Sequence, residues 1–167
     1  SNQPGLVHES EIVQRINSLN AAALDMISLA PKEGLDLSKR AYQLATSVEF
    51  QQDPYPKGVA DALFNMSHFH LEQGDTMLAL AQAKEALQIY IELNKSLNQS
   101  STLRLLGMIY LLQNEYNKAM TSLLKALELA RHLPDPRLLG EITLTIGQTY
   151  LASGEFEPAL TELKKAI

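Results

Sequence analysis

The sequence has no cysteine and no tryptophan. Disulfides, thiolate catalysis and cysteine-ligated zinc or iron–sulfur centres are therefore excluded. Aromatic residues make up only 6%. Cations are scarce: 14 Lys and Arg against 19 Asp and Glu give a net charge of −5. A mildly acidic surface is a poor match for a phosphate backbone, so no direct nucleic-acid partner is expected. Long hydrophobic runs are missing too. The richest apolar stretch, Leu103 to Leu112, is interrupted by Arg104. It falls far short of the ~18 to 20 apolar residues of a membrane span, and no membrane partner is expected.

Catalytic signatures are equally sparse. The sequence contains no phosphate-cradling G-x-x-x-x-G-K-[ST], no G-x-G-x-x-G, no G-x-S-x-G and no H-E-x-x-H. His68 and His70 lie two apart, so on a helix they point in different directions and cannot share a metal. His70 is expected to be a packing residue; His68, on a different face, reads as a solvated residue or a ligand contact. Glu155 and Glu157, at a helix start, suit the helix dipole rather than a catalytic pair. No catalytic residue, metal or cofactor is expected, and any activity would belong to a C-terminal domain outside this chain.

What is present is repetition. With 46% hydrophobic and 20% charged residues the chain has a globular composition. Three segments align forty apart: 60–99, 100–139 and 140–167. Met66, Leu106 and Ile146 form one column, and the small residues Ser67, Gly107 and Gly147 the next. His70, Tyr110 and Tyr150 follow, then Leu71, Leu111 and Leu151. Asp75, Glu115 and Glu155 are acidic, Ala79, Ala119 and Ala159 identical, and Ala86, Ala126 and Ala166 likewise. A weaker copy upstream places Gly34 to Ala45 against Ala79 to Tyr90, and a Pro-rich connector around Pro54, Pro56 and Gly58 absorbs the extra residues. Residues 1–58 thus read as a degenerate first repeat plus connector, and 1–167 as one array.

Each copy predicts two antiparallel helices. Leu103, Leu106, Gly107 and Tyr110 keep the i, i+3, i+4, i+7 spacing of one helical face. Ala119, Leu123, Ala126 and Leu127 define the buried face of a second helix. Gln73-Gly74, Gln113-Asn114 and Ser153-Gly154 are the turns. Gly107, Gly147 and Ala119 let helix axes approach, so Gly147→Leu is expected to overpack the last pair. Upstream, Ser10 offers an N-cap to a first helix ending at Ala30, and Pro31 opens the next. Gly58 permits a sharp turn, and Asn94 to Ser101 forms a soft boundary. The expected fold is all-α, with eight helices and no strands.

Leu106-Gly107-x-x-Tyr110 and Ile146-Gly147-x-x-Tyr150, each followed by Ala119-x-x-x-Leu123 or Ala159-x-x-x-Leu163, resemble the tetratricopeptide repeat. The family's Trp and terminal Pro are missing, and Leu replaces its Phe. The resemblance implies a right-handed α-solenoid of antiparallel helix pairs. Ala30-Pro31-Lys32-Glu33-Gly34-Leu35, with the forty-residue copies ending Ala126 to Arg131, is similar to the N-terminal repeat regions of bacterial signalling proteins. That likeness implies a cytoplasmic sensory or regulatory region ahead of an output domain. The helical pattern stops uncapped at Ile167, so the natural polypeptide is expected to continue.

In such arrays the first helices line the concave side. The second, fifth, sixth, ninth and thirteenth positions of each copy are expected to face it. They are Asp61, Phe64, Asn65, His68 and Glu72; Ser101, Arg104, Leu105, Met108 and Leu112; and Glu141, Leu144, Thr145, Gln148 and Ala152. The lining suits a peptide or partner helix, with an apolar centre at Leu105, Met108, Leu112 and Leu144. Asn65 is the only match to an Asn with which family members grip a peptide backbone, and the cations of their carboxylate clamp are missing. Glutamate at Leu105 or Met108 is expected to abolish binding and spare helicity. The alternative is self-association as a homodimer through the C-terminal helix face at Leu160, Leu163 and Ile167.

Overall fold

In the computed structural model the described residues are 4–47 and 55–155, with 161, 164 and 165. They form seven helices: α1 (Pro4–Asp25), α2 (Pro31–Ala45), α3 (Pro56–Glu72), α4 (Thr76–Glu92), α5 (Ser96–Leu112), α6 (Tyr116–Ala130) and α7 (Pro136–Ser153). No strand occurs among the described residues. Thr161, Lys164 and Lys165 are helical and exposed. The rest of the expected eighth helix lies outside the described residues, as do Leu160, Leu163 and Ile167 of the expected dimer face.

The forty-residue period governs the helix boundaries. α3, α5 and α7 begin at Pro56, Ser96 and Pro136, and α4 and α6 at Thr76 and Tyr116. The turn within each pair is equally periodic. Gly74, Asn114 and Gly154 all adopt left-handed backbone, with φ of 80°, 60° and 84°. The following amides of Asp75, Glu115 and Glu155 donate back to the carbonyls of His70, Tyr110 and Tyr150 at 2.9, 2.9 and 2.8 Å. This six-to-one closure satisfies helix-end carbonyls and ties the turn column to the aromatic column. Nothing lies within 4 Å of a Cβ added at Gly74, so only backbone strain opposes one. Gly74→Ala is expected to cost about 1 kcal/mol, read as a lowered midpoint in chemical denaturation with an unchanged slope.

Two aspartates also shape helix starts. Asp75 Oδ1 accepts the Leu78 amide at 3.1 Å, and Asp135 Oδ1 that of Leu138 at 3.0 Å, each satisfying an orphan first-turn donor. Pro31, Pro56 and Pro136 stand in the first turns of α2, α3 and α7, where a missing N–H costs nothing.

Four boundaries differ from the sequence expectation. α1 starts at Pro4, not after Ser10, because a proline at the first helical position already opens the helix. It stops at Asp25, and 26–29 tighten into turns such as Met26 N to Ala23 O at 3.0 Å. Pro31 forces the preceding Ala30 out of helical backbone, to φ −148° and ψ 73°. Gly58 is no turn: it lies in the first turn of α3, where a Cβ would meet Ile16 Cγ2 of α1 at 2.7 Å. The soft boundary at 94–101 is a short turn centred on Asn94, φ 53°, after which α5 begins at Ser96.

The chain divides into two compact units, Ser1–Ile89 and Tyr90–Ile167. In the first, α2 packs on both α1 and α3, and α1 on α3. Gly34 lets α2 close on α3, because a Cβ there would collide with the fully buried Phe69 ring. Ser67 Oγ donates to Ala79 O at 2.7 Å and joins α3 to α4. His70, buried as expected, pairs through Nδ1 with Gln82 Oε1 at 2.7 Å. In the second unit α6 packs on both α5 and α7, and α5 also touches α7. Its core includes Leu105, Leu106, Ile109, Leu123, Ile142 and Ile146. Ser100 Oγ donates to Ala126 O at 2.8 Å, so a buried hydroxyl fastens α5 to α6.

Candidate partner-binding face

The expected lining residues separate by position in the copy. The sixth position is buried in all three: Asn65, Leu105 and Thr145 are 3%, 1% and 2% exposed. This corrects the expectation that they face a groove. The Asn65 amide is engaged within the fold: its Nδ2 donates to the main-chain oxygen of Asn20 in α1 at 3.0 Å. Asn20 in turn donates to Gly58 O at 3.1 Å, so two asparagines knit α1 to α3. Thr145 Oγ1 donates to Glu141 O at 2.9 Å within α7. At Asn65 the sixth position thus carries a contact between neighbouring first helices.

The other positions stay accessible. In the first unit, Asp61, Phe64 and His68 of α3 are half-buried and Glu72 is exposed. Asp61 pairs with Lys57 at 2.6 Å. His68 packs edge-on to Phe64, with ring centroids 4.9 Å apart. In the second unit, Ser101, Arg104 and Met108 of α5 are half-buried and Leu112 exposed. On α7 Glu141 is half-buried, and Leu144, Gln148 and Ala152 are exposed.

The second unit brings its share together. Arg104 Nε donates to Thr145 Oγ1 at 3.3 Å, and a guanidinium nitrogen stands 3.6 Å from Glu141 Oε2. The two helices are thereby joined across one face. Burial lowers the Arg104 pKa from its ordinary value, and Glu141 partly offsets this. The 3.6-residue period puts Leu97, Arg104, Met108 and Leu112 on one stripe of α5. Arg137, Glu141, Leu144, Gln148 and Leu151 share one stripe of α7. Leu97, Leu112, Leu144 and Leu151 are 45% to 58% exposed. Large side chains left this open beside a half-buried Met are an apolar surface of the kind that meets a partner.

Sequence reasoning missed Leu97, Leu151 and Arg137. The signal for Leu97 was legible. Lys57, Leu97 and Arg137 are one column, and the middle copy exchanges its cation for Leu. Lys57 and Arg137 pair with Asp61 and Glu141 one turn on, where the middle copy has Ser101. Among the described residues no three His, Asp or Glu side chains gather as a metal would need, and no helix is long and apolar enough to cross a membrane.

Comparison with known proteins gives the same fold. The tetratricopeptide-repeat family model matches residues 58–132. No curated protein sequence matches. Among solved structures, BtubC (BKLC) from P. vanneervenii is 19% identical with a TM-score of 0.70, over 81% of this chain and 55% of its own. RapI in its apo form is 17% identical with a TM-score of 0.73, over 93% of this chain and 42% of its own. A Podosopora anserina protein described as a kinesin light chain with nearly identical TPR-like repeats is 11% identical. Its TM-score is 0.72, over 91% of this chain and 73% of its own. The chain thus spans about half the length of the first two. At these identities the likeness carries the fold and nothing more. Helix pairs in a forty-residue period, the turn column and the family match at 58–132 give the described residues an all-α fold of antiparallel helix pairs like that of tetratricopeptide-repeat proteins.

Proposed function

We propose that the chain is a non-catalytic protein-interaction module that takes a peptide or partner helix on the exposed side of its first helices. Tetratricopeptide repeats in general mediate protein–protein interaction. The observation that supports a site here is the α5–α7 face, where four half-exposed leucines flank Met108 in one unit. An amphipathic segment would cover such a stripe. Residues 1–167 would act as one array and serve as the cytoplasmic sensory or regulatory region of a larger bacterial signalling protein. The similarity of Ala30 to Leu35, and of the long copies, to such regions supports that setting.

Met108→Glu tests the face. The side chain is half-buried on the stripe, so a carboxylate there can remain in water. We expect the melting temperature to stay within about 3 °C of wild type, as for surface substitutions. A partner recovered from source lysate by the purified chain should be lost. Equal recovery by wild type and variant would remove the α5–α7 face from the proposal.

A further inference from the structure

The charges on α5 and α7 are few and grouped. The 17 residues of α5 contain a single charged residue, Arg104. The 18 residues of α7 contain two, Arg137 and Glu141. All three meet at one place. Arg137 Nε donates to Glu141 Oε1 at 3.0 Å, and Arg104 stands 3.6 Å from the other carboxylate oxygen. Two guanidinium groups therefore share one carboxylate. The cluster carries a surplus positive charge on a chain whose net charge is −5.

The surplus sits beside the apolar stripe. Arg104 is followed one turn later by Met108 and two turns later by Leu112, and Glu141 by Leu144 in the next turn. Arg104 is part-buried, and its contacts with Thr145 and Glu141, at 3.3 and 3.6 Å, are long for a guanidinium. A guanidinium has five N–H donors, so the group keeps capacity for another acceptor. Low local dielectric strengthens any carboxylate brought to it.

We propose that the occupant of the α5–α7 face is an acidic–apolar peptide segment: leucine-class side chains lie along Met108, Leu112 and Leu144, and one Asp or Glu carboxylate meets Arg104 and Arg137. The inference rests on the interaction reading above and names the chemistry of the partner. Glu141 is the internal competitor: it occupies both arginines when the face is empty and yields donors when a carboxylate arrives.

The test is a random sixteen-residue peptide display selection on the intact chain, with Met108→Glu as the counter-selection target. Peptides that need Met108 should be enriched in Asp or Glu next to Leu-class residues. Their affinity should fall about tenfold or more in Arg104→Gln, the size of one charge-assisted hydrogen bond. It should rise about threefold in Glu141→Gln, which frees both arginines. The second variant keeps the test valid if the first fails to fold, because it moves affinity the other way. Met108-dependent peptides without acidic residues, or with Lys or Arg there, would overturn the acidic partner and leave the interaction face standing. Failure to obtain any Met108-dependent peptide would overturn both.

Discussion

Glutamate at Leu105 should unfold the second compact unit rather than silence a binding surface. Leu105 is 1% exposed and lies in a core with Leu106, Ile109, Ile142 and Ile146. Removing a buried leucine costs about 2 to 5 kcal/mol through lost burial and the cavity left behind. A carboxylate at the same place lies about 100° around the helix from Arg104, the one charged residue of α5, and points into the apolar core instead. Burying that charge adds a further penalty, and the total exceeds about 5 kcal/mol, comparable to the whole stability of a small domain. The expected result is loss of cooperative melting by circular dichroism and of amide protection along α5, α6 and α7. Met108→Glu, three residues on, should keep both. A Leu105→Glu chain that melts like wild type would mean that the sixth position faces solvent after all.

The contrast between Leu105 and Met108 marks where sequence reasoning stops. Both are apolar, both lie on the first helix of one copy, and composition alone assigns either to a lining. A second helix such as α6 is legible because one face is buried: Ala119, Leu123, Ala126, Leu127 and Ala130. A first helix is packed on several sides. α3 meets α1 and α2 and is joined to α4 through Ser67 and His70, so burial reaches Asn65, Ser67 and His70 as well as the apolar positions. Only a narrow stripe stays open, and its edge is set by the neighbouring first helix rather than by local pattern. Asn65 shows the consequence. An amide at that position can hold a peptide backbone or the backbone of the preceding helix, and the sequence is the same in both cases. Here it holds Asn20. The turns were legible for the opposite reason. Gly74, Asn114 and Gly154 need left-handed backbone, a local demand that few residue types meet.

Two glycines of the second unit should respond to leucine with opposite sign. Gly107 of α5 is buried against α6: a Cβ there would lie 2.6 Å from Leu123 Cγ and 2.7 Å from its Cδ2. Leu123 is itself fully buried, so it has nowhere to turn. Gly107→Leu inserts four carbons where the first already clashes. We expect a cost of about 3 kcal/mol or more, the upper range for overpacking, and a melting temperature lower by about 10 °C or more. Gly140 of α7 is exposed, and nothing lies within 4 Å of an added Cβ. Gly140→Leu should gain several tenths of a kcal/mol from helix propensity alone, with a small rise in melting temperature. Both substitutions remove a glycine from a helix, so any shared effect on the unfolded chain cancels in the comparison. What remains is the distance between α5 and α6. Truncating Leu123 to Ala beside Gly107→Leu should recover part of the loss, a coupling that independent sites would not show. Equal melting of the two leucine variants would mean that α6 does not close on Gly107, and the helix pair would have to be built in another register.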